Sequence, residues 1–116
     1  MGFRFSLFPK DDKFYSLLEQ LSGEVYDSAV CFKDFISSRN PATSLSAASR
    51  IQDARSRSKA TSSKITEELC RSFITPFDRE DIQDMANLLY KIPKIIEKAS
   101  DRIVMHGMDV SGGDFD

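Results

Sequence analysis

Residues 82–103 read IQDMANLLYKIPKIIEKASDRI, and their apolar side chains recur in steps of three and four residues. Steps of this size keep side chains on one side of an α-helix, so the stretch predicts a long helix with a buried face. Pro76 and the acidic residues after it mark where this helix begins. The residues predicted to form the buried face are Ile82, Met85, Leu89, Ile92, Ile96, Ala99 and Ile103.

Two further helices are predicted on the N-terminal side of this stretch. The first runs from about Asp11 to the segment SSRNP, residues 37–41, where weak helix formers precede a proline. The second runs from about Ala42 to Ser72, and small side chains dominate its inner stripe, so we expect bulky residues of the other helices to fill the space beside it. The predicted faces are Phe14, Leu18, Leu21, Val25, Ala29, Phe32 and Ile36 for the first helix, and Ala47, Ile51, Ala54, Ser58, Thr61 or Ser62, and Ile65 for the second.

Three such helices predict an all-α fold, an up-down-up three-helix bundle. We assign residues 11–107 to the bundle, with Gly107 as the helix stop. Residues 1–10 form an aromatic and basic arm, expected to lie on the bundle or to contact a membrane surface or transporter. Residues 108–116 are expected to be a flexible tail.

The composition excludes several classes of protein. With 116 residues the chain is one small globular domain or a fragment of a larger one, and a net charge of -2 argues against a general nucleic-acid binder. No apolar run reaches the roughly 20 residues that cross a bilayer, so a cytoplasmic location is expected. Cys31 and Cys70 lack metal-site spacing, and each is expected to be a small buried residue. His106 is the single histidine, and no nucleophile or phosphate-loop motif is present, so we expect no enzyme activity and no catalytic residue.

Charge is distributed unevenly along the predicted helices. Arg50, Arg57, Lys64 and Arg71 repeat every seven residues, and Arg55 and Lys59 broaden this basic stripe. The stripe is either a solvated helix face or a surface for an anion or an acidic partner.

An acidic cluster lies at the start of the third helix. There, Thr75, Asp78 and Asp81 are expected to cap the helix, while Asp78, Glu80, Asp81 and Asp84 are also the candidate ligands for a metal ion.

The run FITPFDREDI, residues 73–82, resembles the signature of the PhoU-like family, in the branch of accessory proteins of Pit-type phosphate transporters. FPKDDKFYSLLEQLSGEV, residues 8–25, and IIEKASDRI, residues 95–103, are similar to the same family. The resemblance implies an all-helical protein of two three-helix repeats, of which this chain is the first. It also implies a non-catalytic regulator of phosphate transport, in a family where some members bind metal clusters through acidic residues.

The sequence departs from that family where the acidic residues are expected. Residues 56–59 read SRSK and residues 89–94 read LYKIPK, so a metal site in this repeat is expected to be absent or weakened, and no cofactor is required. Lysines replace those acids, and they are expected to form a positive surface for phosphate, an acidic transporter loop or lipid headgroups. Its residues are Lys91, Lys94, Lys98 and Arg102, joined by Arg57 and Lys59 if the outer faces of the two helices adjoin.

The leading hypothesis is therefore a cytoplasmic accessory protein that binds a phosphate transporter at the inner face of the membrane. It is expected to touch the membrane only peripherally and to bind no nucleic acid. It is also expected to form a homodimer if its apolar surface is uncovered. The alternative is a carboxylate metal-binding helical bundle.

Overall fold

A computed structural model describes residues 13–110 of the chain, with side chains described for residues 13–106. It consists of three helices: α1 (Lys13–Ser37), α2 (Pro41–Arg71) and α3 (Arg79–Val110). The all-α, three-helix prediction is confirmed for this part of the chain. None of these helices is long and apolar enough to cross a membrane. The arm predicted for residues 1–10 lies outside the described residues, as does the predicted tail beyond Val110.

The break between α1 and α2 lies within the segment that the sequence predicted. Asn40 is the N-cap of α2, and its side-chain Oδ1 accepts a hydrogen bond of 2.8 Å from the backbone N–H of Ala42. Pro41 follows at the first helical position, where its missing N–H has no intrahelical partner to lose.

At the other end of the chain, α3 continues through Gly107, so the expected helix stop there is wrong. Glycine ends a helix efficiently when it adopts a positive φ, and no glycine in residues 13–110 does so.

Two apolar clusters hold the helices together and set their directions. The first joins the N-terminal half of α1 to the C-terminal end of α2 and the beginning of α3, through Phe14, Leu69 and Ile82 among others. The second joins the C-terminal half of α1 to the beginning of α2, through Phe35 and Ala47, with Val104 of α3 packed against it. Hence α2 runs antiparallel to α1, and α3 runs parallel to α1.

Small side chains separate the two clusters. Ser28 of α1 and Ser58 of α2 are completely buried, and each hydroxyl donates to a carbonyl of its own helix, at 2.7 Å to Val25 and 2.7 Å to Ala54. All positions of the predicted inner stripe of α2 are buried, so that prediction is confirmed. Because α1 also presents a buried serine at this level, small residues pack on both helices, whereas we expected bulky residues to fill the space.

The buried faces of α1 and α3 differ from the predicted ones. In α1 the prediction holds as far as Val25, and beyond it Ser28, Cys31 and Phe35 are buried whereas Ala29 and Ile36 are exposed. Both sets fit helical spacing, and the apolar type of Ala29 favoured the wrong one. In α3, Met85, Ile92 and Ile103 are exposed, and Ala86, Pro93 and Ser100 are buried instead.

The two cysteines also differ from each other. Cys31 is buried in the second cluster as expected, but Cys70 is exposed. Cys70 lies in the last turn of α2, one residue after the buried Leu69, and therefore points away from the core.

Candidate functional site

The corner between α2 and α3 is built by the side chains of the FITPFDREDI run. Phe77 packs against the first apolar cluster, with its ring centroid 6.2 Å from that of Tyr15. The hydroxyl of Thr75 donates to the carbonyl of Phe77 at 2.6 Å, so Thr75 closes the turn and does not cap α3 as predicted. Asp78 is the cap of α3, since its Oδ1 accepts from the backbone N–H of Glu80 at 3.0 Å. Asp81 lies in the first turn, where its charge suits the helix dipole.

Arg79 ties the end of α2 to the start of α3. Its guanidinium donates to three backbone carbonyls, those of Leu69, Ser72 and Phe73, and the last two bonds measure 3.0 and 3.3 Å. Leu69 lies in the last turn of α2, where carbonyls have no intrahelical donor, and Ser72 is the C-cap, so one forked cation satisfies a final helix carbonyl together with carbonyls of the chain that follows. The first residue of α3 therefore closes α2.

Phe73 and Ile74 are the two residues of this run that the corner does not bury. Their side chains are 97% and 85% exposed, which makes them the most exposed large apolar residues of the described chain. A phenyl ring and a sec-butyl group in water gain about 1.5–3 kcal/mol each when a contact buries them. Adjacent exposed apolar side chains on a well-anchored turn are typical of a contact surface.

Two arginines of the basic stripe of α2 are paired with acids of α1. Arg50 Nη2 lies 3.4 Å from Asp34 Oδ2, and Arg57 Nη1 lies 3.5 Å from Asp27 Oδ2. Seven residues backward along α1 match seven residues forward along α2, so the pairs repeat every two turns between antiparallel helices. The heptad spacing of these arginines thus reflects helix pairing.

Arg57 is the most strongly compensated residue of this stripe. Its Nε also lies 2.9 Å from Asp53 Oδ2, one turn earlier on α2. Partial burial opposes its positive charge, but the hydrogen bonds and charges of Asp53 and Asp27 outweigh that effect and raise its pKa. Because Arg57 faces α1, it does not join the lysines of α3, contrary to the expectation from the sequence.

Lys59 lies on a different face of α2 from Arg57. Arg55 and Thr66, four residues before it and seven after it, both contact α3: Arg55 Nε lies 3.2 Å from Glu97 Oε1, and Thr66 Oγ1 lies 3.1 Å from Gln83 Oε1. Helical spacing therefore places the exposed Lys59 beside α3.

Two of the predicted lysines of α3 line a shallow pocket of about 240 Å³. Lys94 Nζ lies 5.5 Å from the centre of the Tyr90 ring, and the guanidinium carbon of Arg55 lies 6.0 Å from it. The ring thus holds cations near the pocket. Ammonium groups at its edge suit a phosphate or carboxylate group. The lining residues are Asn87, Leu88, Tyr90, Lys91 and Lys94, while Lys98 is exposed and is not part of the lining.

The four acidic candidates at the start of α3 are all exposed, and Asp78 is occupied as a helix cap. Within residues 13–106 no three histidine, cysteine, aspartate or glutamate side chains converge as metal ligands, so the structure does not bring Asp78, Glu80, Asp81 and Asp84 together as such a group.

A buried polar cluster between α1 and α2 was missed in the sequence. Glu24 is 8% exposed, and its Oε2 accepts hydrogen bonds from Gln20 Nε2 at 3.1 Å and Thr61 Oγ1 at 3.0 Å. Its other oxygen, Oε1, is buried with no hydrogen-bond partner in the described chain. The signal that could have revealed it is its position three residues after Leu21 on the buried side of α1.

No family model matches the chain, and no curated protein matches it significantly.

Proposed function

We propose that this chain is a non-catalytic accessory or regulatory protein of inorganic phosphate transport, corresponding to the first three-helix repeat of a PhoU-like protein. It acts by binding a Pit-type phosphate transporter, or a signalling partner of that transporter, at the cytoplasmic face of the membrane. The assignment to phosphate transport is supported by the resemblance of the FITPFDREDI run.

The observation that carries the binding mechanism is the exposure of Phe73 and Ile74. Most other residues of the run stabilise the corner, since Asp78 caps α3, Arg79 closes α2, and Phe77 packs against the core. The side chains of Phe73 and Ile74 are not packed against the corner and remain exposed to solvent. Anchoring on both sides lowers the entropy cost of presenting them to a partner, which supports a role in docking.

The pocket beside Lys91 and Lys94 supplies a polar part of the same mechanism. Exposed lysines bind a carboxylate or phosphate group without burying an unpaired charge. A partner that docks its apolar surface on the corner and its acidic loop on α3 would use both features.

Binding to the transporter tests the proposal directly. The labelled chain is titrated onto lipid nanodiscs that contain a Pit-type phosphate transporter, with lipid-only nanodiscs in parallel. We expect saturable binding to the transporter discs, weakened at least tenfold by the double substitution Phe73→Ser with Ile74→Ser, because each side chain loses a buried apolar contact.

Leu45→Ser is the matched control, because Leu45 is 63% exposed and lies in the first turns of α2, at the other end of the bundle. This variant is expected to bind like the original chain. Equal binding to discs with and without transporter, or no effect of the double substitution, contradicts the proposal.

A further inference from the structure

The buried carboxylate of Glu24 has more acceptor capacity than its neighbours use. Its side chain is 8% exposed, so it is more than nine-tenths buried. An ionised carboxylate offers about four lone-pair sites for hydrogen bonds. Oε2 accepts from Gln20 and Thr61, whereas Oε1 is buried with no hydrogen-bond partner within the described chain. Because a buried charge without full compensation destabilises a fold, Oε1 needs a positive charge or a further donor.

The hydroxyl of Thr61 compensates Glu24 only in part. Its oxygen lies 3.0 Å from Glu24 Oε2 and 3.1 Å from the carbonyl oxygen of Arg57. A hydroxyl has one proton, which serves one of these acceptors at a time. When the proton goes to the carbonyl, no proton lies between the hydroxyl oxygen and Oε2. A cation in contact with both oxygens then makes their proximity favourable.

The buried serines on either side of this pair offer acceptors and not donors. Ser28 lies one turn after Glu24 on α1, Ser58 lies three residues before Thr61 on α2, and both are completely buried. Each serine donates its proton to a backbone carbonyl of its own helix. Only oxygen lone pairs of these serines therefore remain for further contacts, and oxygen atoms are the ligands that hard cations prefer.

We infer that Glu24, Thr61 and Gln20 form a binding site for a small monovalent cation, of the class of Na⁺, K⁺ or ammonium. Their polar atoms lie 3.0–3.2 Å from one another. Glu24 supplies one full negative charge, Thr61 supplies its hydroxyl oxygen, and a half-turn of the Gln20 amide presents its carbonyl oxygen in place of its N–H. One carboxylate balances one positive charge, whereas a divalent ion usually takes several carboxylates.

A groove of about 220 Å³ gives solvent access to two of the three residues. It is lined by Gln20, Ala60, Thr61, Ser63, Lys64 and Glu67. Gln20 is exposed, so rotation of its side chain opens a path for a small ion toward the carboxylate. Lys64 and Glu67 carry opposite charges, so the groove itself does not repel a cation.

The nearest arginine is already compensated. Arg57 lies one turn before Thr61 on α2. Its guanidinium is engaged by Asp53 at 2.9 Å and by Asp27 at 3.5 Å. The positive charge of Arg57 is therefore balanced by these two carboxylates, and the charge of Glu24 remains for the ion.

Thermal unfolding of the full chain in different chloride salts tests the inference. The melting temperature is measured in sodium, potassium and ammonium chloride from about 5 to 500 mM, with choline chloride, whose cation is too large for the site, holding the ionic strength constant. A single carboxylate with neutral oxygens is a weak site, so we expect a dissociation constant on the order of 50 mM. The melting temperature should then rise by about 5 °C and saturate. The salt with the lowest half-saturating concentration identifies the preferred ion.

Three variants connect this effect to the site. Glu24→Gln keeps the shape of the side chain and removes its charge, so it should abolish the difference between the salts. Thr61→Val removes one oxygen ligand, so the half-saturating concentration should rise about threefold. Glu19→Gln is the matched control, because Glu19 is an exposed acid of α1 that lies next to Gln20 in the sequence. It should leave the saturating rise unchanged.

Three outcomes overturn the inference. The first is an equal melting temperature of the original chain in all the salts at every concentration. The second is a difference between the salts that Glu24→Gln retains or, if that variant does not fold, that Thr61→Val leaves unchanged. The third is a rise that stays linear in concentration, because general salt effects on a protein surface do not saturate as a site does. No transporter takes part in the test, so its result is independent of the proposed function.

Discussion

Replacing Arg79 with alanine tests how the two long helices are joined. The substitution removes three hydrogen bonds from a guanidinium to the carbonyls of Leu69, Ser72 and Phe73. Hydrogen bonds to a charged donor contribute about 1.5–3 kcal/mol when buried, but Arg79 is exposed and water replaces part of each bond. Discounting each to about 0.7 kcal/mol gives a loss of about 2 kcal/mol in the free energy of unfolding.

The assay is chemical and thermal unfolding followed by far-ultraviolet circular dichroism. For a chain of 116 residues, a loss of about 2 kcal/mol lowers the melting temperature by about 8 °C. Arg79→Lys keeps the charge, but a lysine lacks the planar, forked guanidinium that reaches three carbonyls at once. We therefore expect an intermediate loss of about 1 kcal/mol in the free energy of unfolding.

Arg39→Ala is the control for Arg79, because Arg39 is an exposed arginine between α1 and α2 that makes no hydrogen bond or ion pair within residues 13–106. It should change stability by less than about 0.5 kcal/mol. If Arg79→Ala costs no more than Arg39→Ala, then the guanidinium contacts contribute nothing to joining the helices, and the account of the corner is wrong.

Three further substitutions test other contacts. Glu24→Gln keeps an acceptor for both hydrogen bonds and removes a buried charge, so urea unfolding should show a change of less than about 1 kcal/mol in the free energy of unfolding. Glu24→Ala removes the acceptor and should lower that free energy by about 2–3 kcal/mol. Equal losses for the two variants would contradict this account of the buried cluster. The hydrogen bond from Lys13, at 3.0 Å, lowers the pKa of Glu68. That contribution to stability is complete above the ordinary pKa of a glutamate and is lost as the pH falls through the lowered value, so the stability difference between the original chain and Glu68→Gln should shrink from about pH 6 to about pH 2; a constant difference would refute the pairing. A thiol reagent under native conditions should label Cys70 within minutes and Cys31 only upon unfolding, and a Cys70→Ser variant should abolish the fast phase.

The helices of this chain could be predicted from sequence because their local signals agree. Asn40 and Pro41 mark one helix start, and Asp78 marks another, in each case through side chains that contact only nearby backbone. The inner stripe of α2 could be predicted because its arginines and lysines leave a single uncharged face. The contact of Arg57 with Asp27 could not be predicted from the sequence, because it depends on the register between two helices.

The orientation of α3 could not be predicted, and the reason lies in the amount of its apolar surface. Met85 and Ile92 fit a period of 3.6 residues as well as Ala86 and Pro93 do, so the sequence alone allows either set to face the core. Packing decides between them. In a three-helix bundle each helix has two neighbours, and the set that approaches both most closely includes small or compact side chains, here Ala86 and Pro93. The larger side chains of Met85 and Ile92 then remain outside, so the strongest apolar pattern in the sequence belongs partly to a surface that three helices do not cover.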